Sequence, residues 1–507
     1  METPTQMGTF SKLSKTVALF LAPLLALLLY LVLPDSYVNG SGQTVAITHA
    51  AKACLAILLW MALWWFTETV PIAVTALLPI VLYPLCDVNT LAKTLVPYAS
   101  DTIYLFLGGF LLAAGIQRWG LDKRIALKTL QIVGTSPGAI IAGMMVATGF
   151  ISMWVSNTAT AAMMVPIAMA VMSVVRQSSS SPTITKGERN FGICVLLAVA
   201  YGASIGGMGT IIGSPPNGIF VRFVQQTYGI DVSIFDWMKV GMPVVLILMP
   251  LSWLLLTKVL FREQIKKIEG GKEWIKEELI SLGKLSKGET VVLIVFVVTV
   301  ILWCFGAQIR SFTIDGVRPF KQVSDAIIAM AAGISLFCIP VDFRRGERAL
   351  DWKHCDSIPW DVLLLFGGGL TMAATIQATG SAQLIAAQAA SFTGLPAVAV
   401  VIGVAALVIF ATEFTSNTAL AATMLPLLAA AAPVLGIPVE QVLLVTTLGA
   451  SAAFMMPVAT PPNAIIFGTG HIQIGDMIKA GFWLNVISIF VIAGVCMVLG
   501  GVLSLPN

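Results

Sequence analysis

The sequence predicts an all-α, polytopic membrane protein of about 11 transmembrane helices plus two re-entrant hairpins, arranged as two inverted-topology repeats. Three observations carry the prediction. The 507 residues are 57% hydrophobic and only 11% charged, against roughly 25% charged in a soluble domain. Apolar runs long enough to span a bilayer recur from end to end, beginning with Val17 to Leu33 and including Thr290 to Ala307. Short polar motifs interrupt that background twice, at matching places in the two halves.

The first apolar run ends in a proline and a turn, "LVLPDSYVNG", with no small-residue cleavage pattern, so it reads as a retained helix. Trp60, Trp64 and Trp65 read as interfacial anchors, and Glu68 beside them as a structural residue at the membrane surface. Next, "DTIYLFLGGFLLAAGIQRWG" (Asp101 to Gly120) aligns with "DVLLLFGGGLTMAATIQATG" (Asp361 to Gly380) at an offset of 260, and the same offset superposes Ser156-Asn157-Thr158 on Ser416-Asn417-Thr418. A third pair, "IIGSPPNGI" from Ile211 and "PVATPPNAI" from Pro457, aligns at 246, because a polar loop at Arg176 to Asn190 lengthens the first half only. The chain then divides into a first repeat, 1–261, a charged solvated linker, 262–288, and a second repeat, 289–507. Hairpins are expected near 135–175 and 396–433, and broken helices near 191–224 and 441–468.

Charge supports the inversion. Arg118, Lys123, Arg124 and Lys128 follow the first Gly-Gly helix, whereas its repeat partner, Ala378 to Leu395, carries no charge; cytoplasmic loops collect Lys and Arg. The N-terminus is therefore expected in the cytoplasm and the C-terminus outside. A net charge of +4 spread through such loops is a topology signal and gives no reason to expect nucleic acid. The seven cysteines are scattered, with no CxxC or Cys/His spacing, and read as small core residues.

The SNT runs carry the chemistry. If Pro137 and Pro166, or Pro396 and Pro433, bound the flanking apolar stretches, these are too short to span separately, and re-entrant hairpins fit better. Irregular backbone at membrane depth survives only where it is buried in protein or lines a watered cavity. A tip of Ser, Asn and Thr supplies oxygens for a hard cation, and a helix starting there turns N–H donors and its positive end toward an anion. The "GSPPN" and "ATPPN" motifs place two prolines inside apolar spans, freeing carbonyls at Gly213 and Ala459 for a cation and the Ser214 and Thr460 hydroxyls for an oxyanion. The four motifs contain no Arg, Lys or His. A bound dianion must then be balanced by helix dipoles and cations, which links the two binding equilibria. Glu413 breaks the pseudo-symmetry, its counterpart being Met153; it is open between a structural carboxylate and a group coupling ions or protons. The run "GASIGGMGTIIG" has no preceding strand and no GK[ST], so it reads as close helix packing and not a phosphate loop.

With its paired SNT motifs and the run "ASAAFMMPVATPPNAII" (Ala450 to Ile466), the whole chain resembles the divalent anion/sodium symporter family, departing from that signature only at Ile466. The resemblance implies a homodimer with scaffold and transport domains and an elevator-like motion. It implies one sodium site at Ser152, Ser156, Asn157 and the Gly213 carbonyl, and a second at Thr412, Thr415, Asn417 and the Ala459 carbonyl, with Thr415 acting through its backbone. Substrate carboxylates fall to Asn157, Thr158, Ser214, Asn417, Thr418 and Thr460. The expected activity is uptake of C4 dicarboxylates driven by co-transported sodium, in a lipid bilayer that is a bacterial inner membrane. A dicarboxylate or citrate exchanger on the same fold is the nearest rival, and an anion channel a second. An enzyme is the least supported, since no nucleophile–base pair or metal-ligand cluster stands out.

Overall fold

Polar residues at the ends of apolar segments start many of the helices. A computed structural model describes residues 5–38, 43–177, 181, 183–262, 265, 268, 270–315, 317–389 and 396–503; parts of the polar loop at 176–190, of the linker and of the segment 378–395 lie outside these. Thr185 with Glu188, Ser233 with Asp236 and Ser286 with Glu289 close reciprocal capping boxes on Lys186–Gly207, Ile234–Leu254 and Lys287–Cys304. Among the described residues, nine helices are long and apolar enough to cross a membrane, and shorter apolar helices lie between them. The chain is a multi-pass helical membrane protein; among the described residues its strands are limited to two small antiparallel pairs, Ser36–Val38 with Thr44–Ala46 and Pro340–Asp342 with Glu347–Arg348.

Small residues let these helices touch. Lys186–Gly207 is buried along its apolar length, and a Cβ on its Gly206 would fall 2.2 Å from the carbonyl oxygen of Gly149 on Pro137–Ser152. The glycines of "GASIGG" are thus a packing surface, as expected. Asp101–Arg118 packs along Asp325–Cys338 in the same manner, Gly108 lying against Ala329.

Four details depart from the sequence reading. Pro166 lies inside the 21-residue helix Asn157–Gln177, which is long enough to span, so the shortness argument holds for Pro137–Ser152, Ala397–Thr412 and Asn417–Ala431 but not for this arm. A proline removes one hydrogen bond, and packing on both sides carries the helix through it. The prolines of GSPPN and ATPPN do not sit in unwound chain either. They occupy the first turns of Pro215–Tyr228 and Pro461–Gly468, where a missing N–H costs nothing, and the unwinding precedes them. Trp65 is fully buried and donates its indole N–H to Ile72 O at 3.2 Å, a core residue and not an interfacial anchor. The linker contains a helix, Gly271–Ser281, tied to Leu121–Val133 by Lys123–Glu278 at 3.0 Å. Beside it Arg124 donates to Glu289 at 2.6 Å and to the carbonyls of Leu282 and Gly283, a buried ion pair that fixes the start of the second half.

Asp122, in the first turn of Leu121–Val133, is only 4% exposed and faces Ile151, Trp154 and Phe296. It accepts the N–H of Lys123 at 2.8 Å, and no cation pairs with it among the described residues. Burial pushes its carboxyl up from 3.8 to about 6. Between those values the folded chain holds a proton that the unfolded chain has released, so stability is fully present below about pH 4 and falls as pH rises through about 6. The loss is about 3 kcal/mol. Asp122→Asn should flatten this part of the pH dependence in thermal melts of the purified protein; an unchanged slope would show the carboxyl to be hydrated.

Candidate functional site

Two helix–turn–helix units and two broken helices meet at the SNT and PPN motifs. Ser152 ends Pro137–Ser152 and Asn157 begins Asn157–Gln177; Thr412 ends Ala397–Thr412 and Asn417 begins Asn417–Ala431. The broken helices are Lys186–Gly207 followed by Pro215–Tyr228, and Val439–Ala450 followed by Pro461–Gly468. They cross over. Pro215–Tyr228 packs on Asn417–Ala431, and Pro461–Gly468 on Asn157–Gln177. Ser214 Oγ and Ser451 Oγ, 2.9 Å apart, join the two unwound stretches directly.

The oxygens form two matching clusters. Ser152 Oγ lies 2.6 Å from Asn157 Oδ1 and 2.8 Å from the carbonyl oxygen of Ala203. Thr412 Oγ1 lies 2.7 Å from Asn417 Oδ1 and 2.9 Å from the carbonyl oxygen of Ala450. In each cluster one hydroxyl proton faces two acceptors and can satisfy only one. The first cluster is larger, because the carboxamide end of Asn157 is also 3.1 Å from Gly213 O. With its nitrogen turned inward, Asn157 donates to Ala203 O and Gly213 O, each at 3.1 Å, and to Ser152 Oγ at 2.6 Å. With its oxygen turned inward, four oxygens converge with one proton among them, an arrangement that a cation stabilises. The donor set, hydroxyl, amide and backbone carbonyl without thiolate or imidazole, suits a hard ion such as sodium.

The other expected residues surround these clusters in different roles. Ser156 Oγ accepts the N–H of Ala159 at 3.3 Å and caps its helix, and Thr415 Oγ1 donates to Ala411 O at 3.1 Å. Thr460 accepts the N–H of Asn463 at 3.3 Å, capping Pro461–Gly468. Thr158 is exposed, while Thr418, Gly213 and Ala459 are buried. No hydrogen bond joins Ala459 to the second cluster among the described residues; the carbonyl that reaches Thr412 belongs to Ala450. Four helix N-termini, at Asn157, Asn417, Pro215 and Pro461, start at the motifs and turn their positive dipole ends toward them; the two that open with paired prolines have no N–H in their first two residues.

Sequence reasoning missed two pairs. The Ala203 and Ala450 carbonyls sit in a tripeptide, Gly-Ala-Ser, that recurs at 202–204 and 449–451, which was the available signal. The asparagines of the PPN motifs, Asn217 and Asn463, are wholly buried and brace the unwound stretches. Asn217 Nδ2 donates to Gly207 O and Thr210 O at 3.0 and 2.8 Å, and Asn463 Nδ2 to Ala453 O and Met456 O at 3.4 and 3.1 Å.

Glu413 is an anchor. Its carboxylate accepts the successive N–H groups of Phe454, Met455 and Met456 at 2.6, 2.9 and 2.9 Å, and the Asn485 amide at 2.7 Å. Both oxygens are engaged as acceptors by the unwound stretch before Pro461–Gly468 and by Ile474–Leu499, so the carboxylate ties these two segments together. The first half needs no acid there. Thr210 donates its hydroxyl to the carbonyl of Met153, the Glu413 counterpart, and accepts the N–H of Gly213 at 3.1 Å.

Residues 14–505 match the family described as sodium:sulfate symporter transmembrane region. The sodium-dependent dicarboxylate transporter SdcS of Staphylococcus saprophyticus is 39% identical over 477 residues, covering 94% of this chain and 89% of its own length. SdcS of Staphylococcus aureus strain USA300 is 40% identical with the same coverage. Among solved structures, the YdaH transporter of Alcanivorax borkumensis aligns with a TM-score of 0.56 at 14% identity, over 97% of this chain and 98% of its own. MtrF of Neisseria gonorrhoeae gives 0.56 at 12% identity, over 96% and 94%. These last two are likenesses of fold. The paired oxygen clusters, set in a multi-pass helical chain that the family description spans almost end to end, place the protein: it belongs to the sodium:sulfate symporter family, the divalent anion/sodium symporters, and is a transporter and not an enzyme.

Proposed function

We propose that the protein couples inward sodium flow to uptake of C4 dicarboxylates such as succinate, malate or fumarate. The observation that carries this reading is the pair of matched polar clusters at Ser152–Asn157 and Thr412–Asn417, the second proton-poor as it stands and the first so when the Asn157 oxygen turns inward. Two sodium ions occupy them, the first with Ser152, Ser156, Asn157 and the Gly213 carbonyl, the second with Thr412, Thr415, Asn417 and the Ala459 carbonyl. The dianion lies between the turns, held by Asn157, Thr158, Ser214, Asn417, Thr418 and Thr460. The relatives named above as sodium-dependent dicarboxylate transporters support this choice of ion and substrate.

In the proposed cycle sodium binds first and brings positive charge to a site without cationic side chains; the dianion follows, so each raises the affinity for the other. The two SNT units act as re-entrant hairpins of two inverted repeats, within a transport domain that moves against a scaffold in a homodimer, elevator fashion, in a bacterial inner membrane. Eleven spans, counting each broken helix once, put the N-terminus in the cytoplasm and the C-terminus outside. Radiolabelled succinate uptake into proteoliposomes, with sodium, lithium and proton gradients imposed separately, tests the reading. Uptake should require inward sodium and saturate with succinate. Uptake that persists without sodium but needs internal dicarboxylate would make the protein an exchanger instead.

A further inference from the structure

The Pro215–Tyr228 helix has one end at Ser214, in the site, and its other end in a network of charges. Arg222 Nη1 lies 2.9 Å from Asp101 Oδ1, at the start of Asp101–Arg118. Gln225 Nε2 donates to Asp231 Oδ1 at 2.5 Å and lies 3.5 Å from Asp101 Oδ2, extending the contact. Beyond the next turn the backbone N–H of Ile234, first residue of Ile234–Leu254, donates to Asp325 Oδ2 at 3.0 Å, while Asp325 Oδ1 is 3.6 Å from Arg310. These groups line or border a polar cleft of about 300 Å³, with Leu105, Val221 and Ala326 among its apolar lining.

The chemistry of this contact differs from that of its surroundings. Asp101–Arg118 and Asp325–Cys338 are joined to each other by close apolar packing, Gly108 against Ala329 and Gly333 against Leu111. Such a joint is permanent on the scale of the fold. Deeper along its length Pro215–Tyr228 meets Asp101–Arg118 through Gly218 against Phe106, but at the end near the 229–233 turn the contacts to that pair include partly hydrated ions and one backbone hydrogen bond, each weak enough to break and re-form. Polar, replaceable contacts are what a joint between moving bodies uses.

We propose that the Arg222–Asp101 and Ile234–Asp325 contacts form a clasp that holds Pro215–Tyr228 and Ile234–Leu254 against Asp101–Arg118 and Asp325–Cys338 in this conformation, and that opens when the site changes its exposure. The clasp rests on the alternating-access reading above. It acts at the far end of the helix that carries Ser214, so opening it frees that helix to move as a rigid lever without unwinding the site.

Maleimide labelling of Ala326→Cys, which is nearly buried on the cleft wall, reports the clasp in the purified full chain. Cys338, an exposed native cysteine, is replaced by serine in this background. Asp101→Asn and Arg222→Gln should each raise the labelling rate about two- to fivefold, the weight of an exposed ion pair. The double variant should do no more than the stronger single. Unchanged rates, or a double effect equal to the product of the singles, would overturn the clasp. Salt gives a second readout: raising choline chloride from about 0.1 to about 1 M should speed labelling more when both charges are present than in the double variant, which keeps only the Arg310–Asp325 pair. An equal salt response in both would also overturn it. Sodium-driven uptake is measured separately; its absence would remove the transport reading, while labelling still decides whether the pair closes the cleft.

Discussion

Asn417→Ala and Asn157→Ala are each expected to abolish sodium-driven succinate uptake, by about a hundredfold or more, and to leave a folded protein. Asn417 Oδ1 lies 2.7 Å from Thr412 Oγ1, and the carboxamide end of Asn157 lies 2.6 Å from Ser152 Oγ, as a donating nitrogen in one orientation and as an oxygen ligand in the other. Loss of a ligand to an ion costs roughly 1.5–3 kcal/mol, and in the proposed site the same side chain also holds the substrate, so ion and anion affinity are expected to fall together. The fold should survive, because each residue opens a helix at a turn and alanine is a good helix former. Uptake measured across a sodium titration, beside size-exclusion profiles, checks both halves of the expectation. Wild-type uptake by either variant would remove that asparagine from the site. The two are not equivalent in detail: the Asn157 carboxamide also lies 3.1 Å from Ala203 O and Gly213 O, so its loss leaves two further carbonyls without that partner.

Glu413→Ala is expected to lower stability by about 3–5 kcal/mol, the cost of breaking a buried charged network. Three consecutive N–H groups and the Asn485 amide would be left in a dry interior without an acceptor. Glu413→Gln keeps one acceptor oxygen and should lose roughly half as much, although its new amide protons face other donors. Thermal unfolding of the purified variants gives the order wild type, Gln, Ala. A coupling role predicts the opposite pattern, in which the Gln variant keeps its melting temperature and loses its sodium dependence. An unchanged melting temperature for Glu413→Ala would therefore return the residue to the coupling mechanism.

Much of the site was legible because repetition is visible in a linear string. Ser152 and Thr412 are separated by the same 260 residues as Asn157 and Asn417, and each hydroxyl lies within hydrogen-bond distance of its asparagine's carboxamide in space. The glycines of "GASIGG" were legible as packing because a glycine in an apolar helix has little other use. Backbone groups were harder to find. The Ala203 and Ala450 carbonyls join the clusters through chain path alone, and nothing in an alanine side chain announces it. Asn217 and Asn463 look like the rest of a polar motif, yet they serve the backbone of their own broken helices and not a ligand.

By itself, then, the sequence determined the class of protein, the pairing of its halves and the residue types at the candidate site, since hydropathy, spacing and side-chain chemistry are local properties of the chain. Tertiary structure alone decided which groups the Glu413 carboxylate meets, which carbonyls lie beside each cluster, that Pro166 stays within a helix, and that Arg222 meets Asp101. Each of these depends on which groups a buried polar atom finds when the chain closes around it. A carboxylate that could bind an ion, carry a proton or hold a loop is assigned by its neighbours, and those neighbours lie 41 to 72 residues away along the chain.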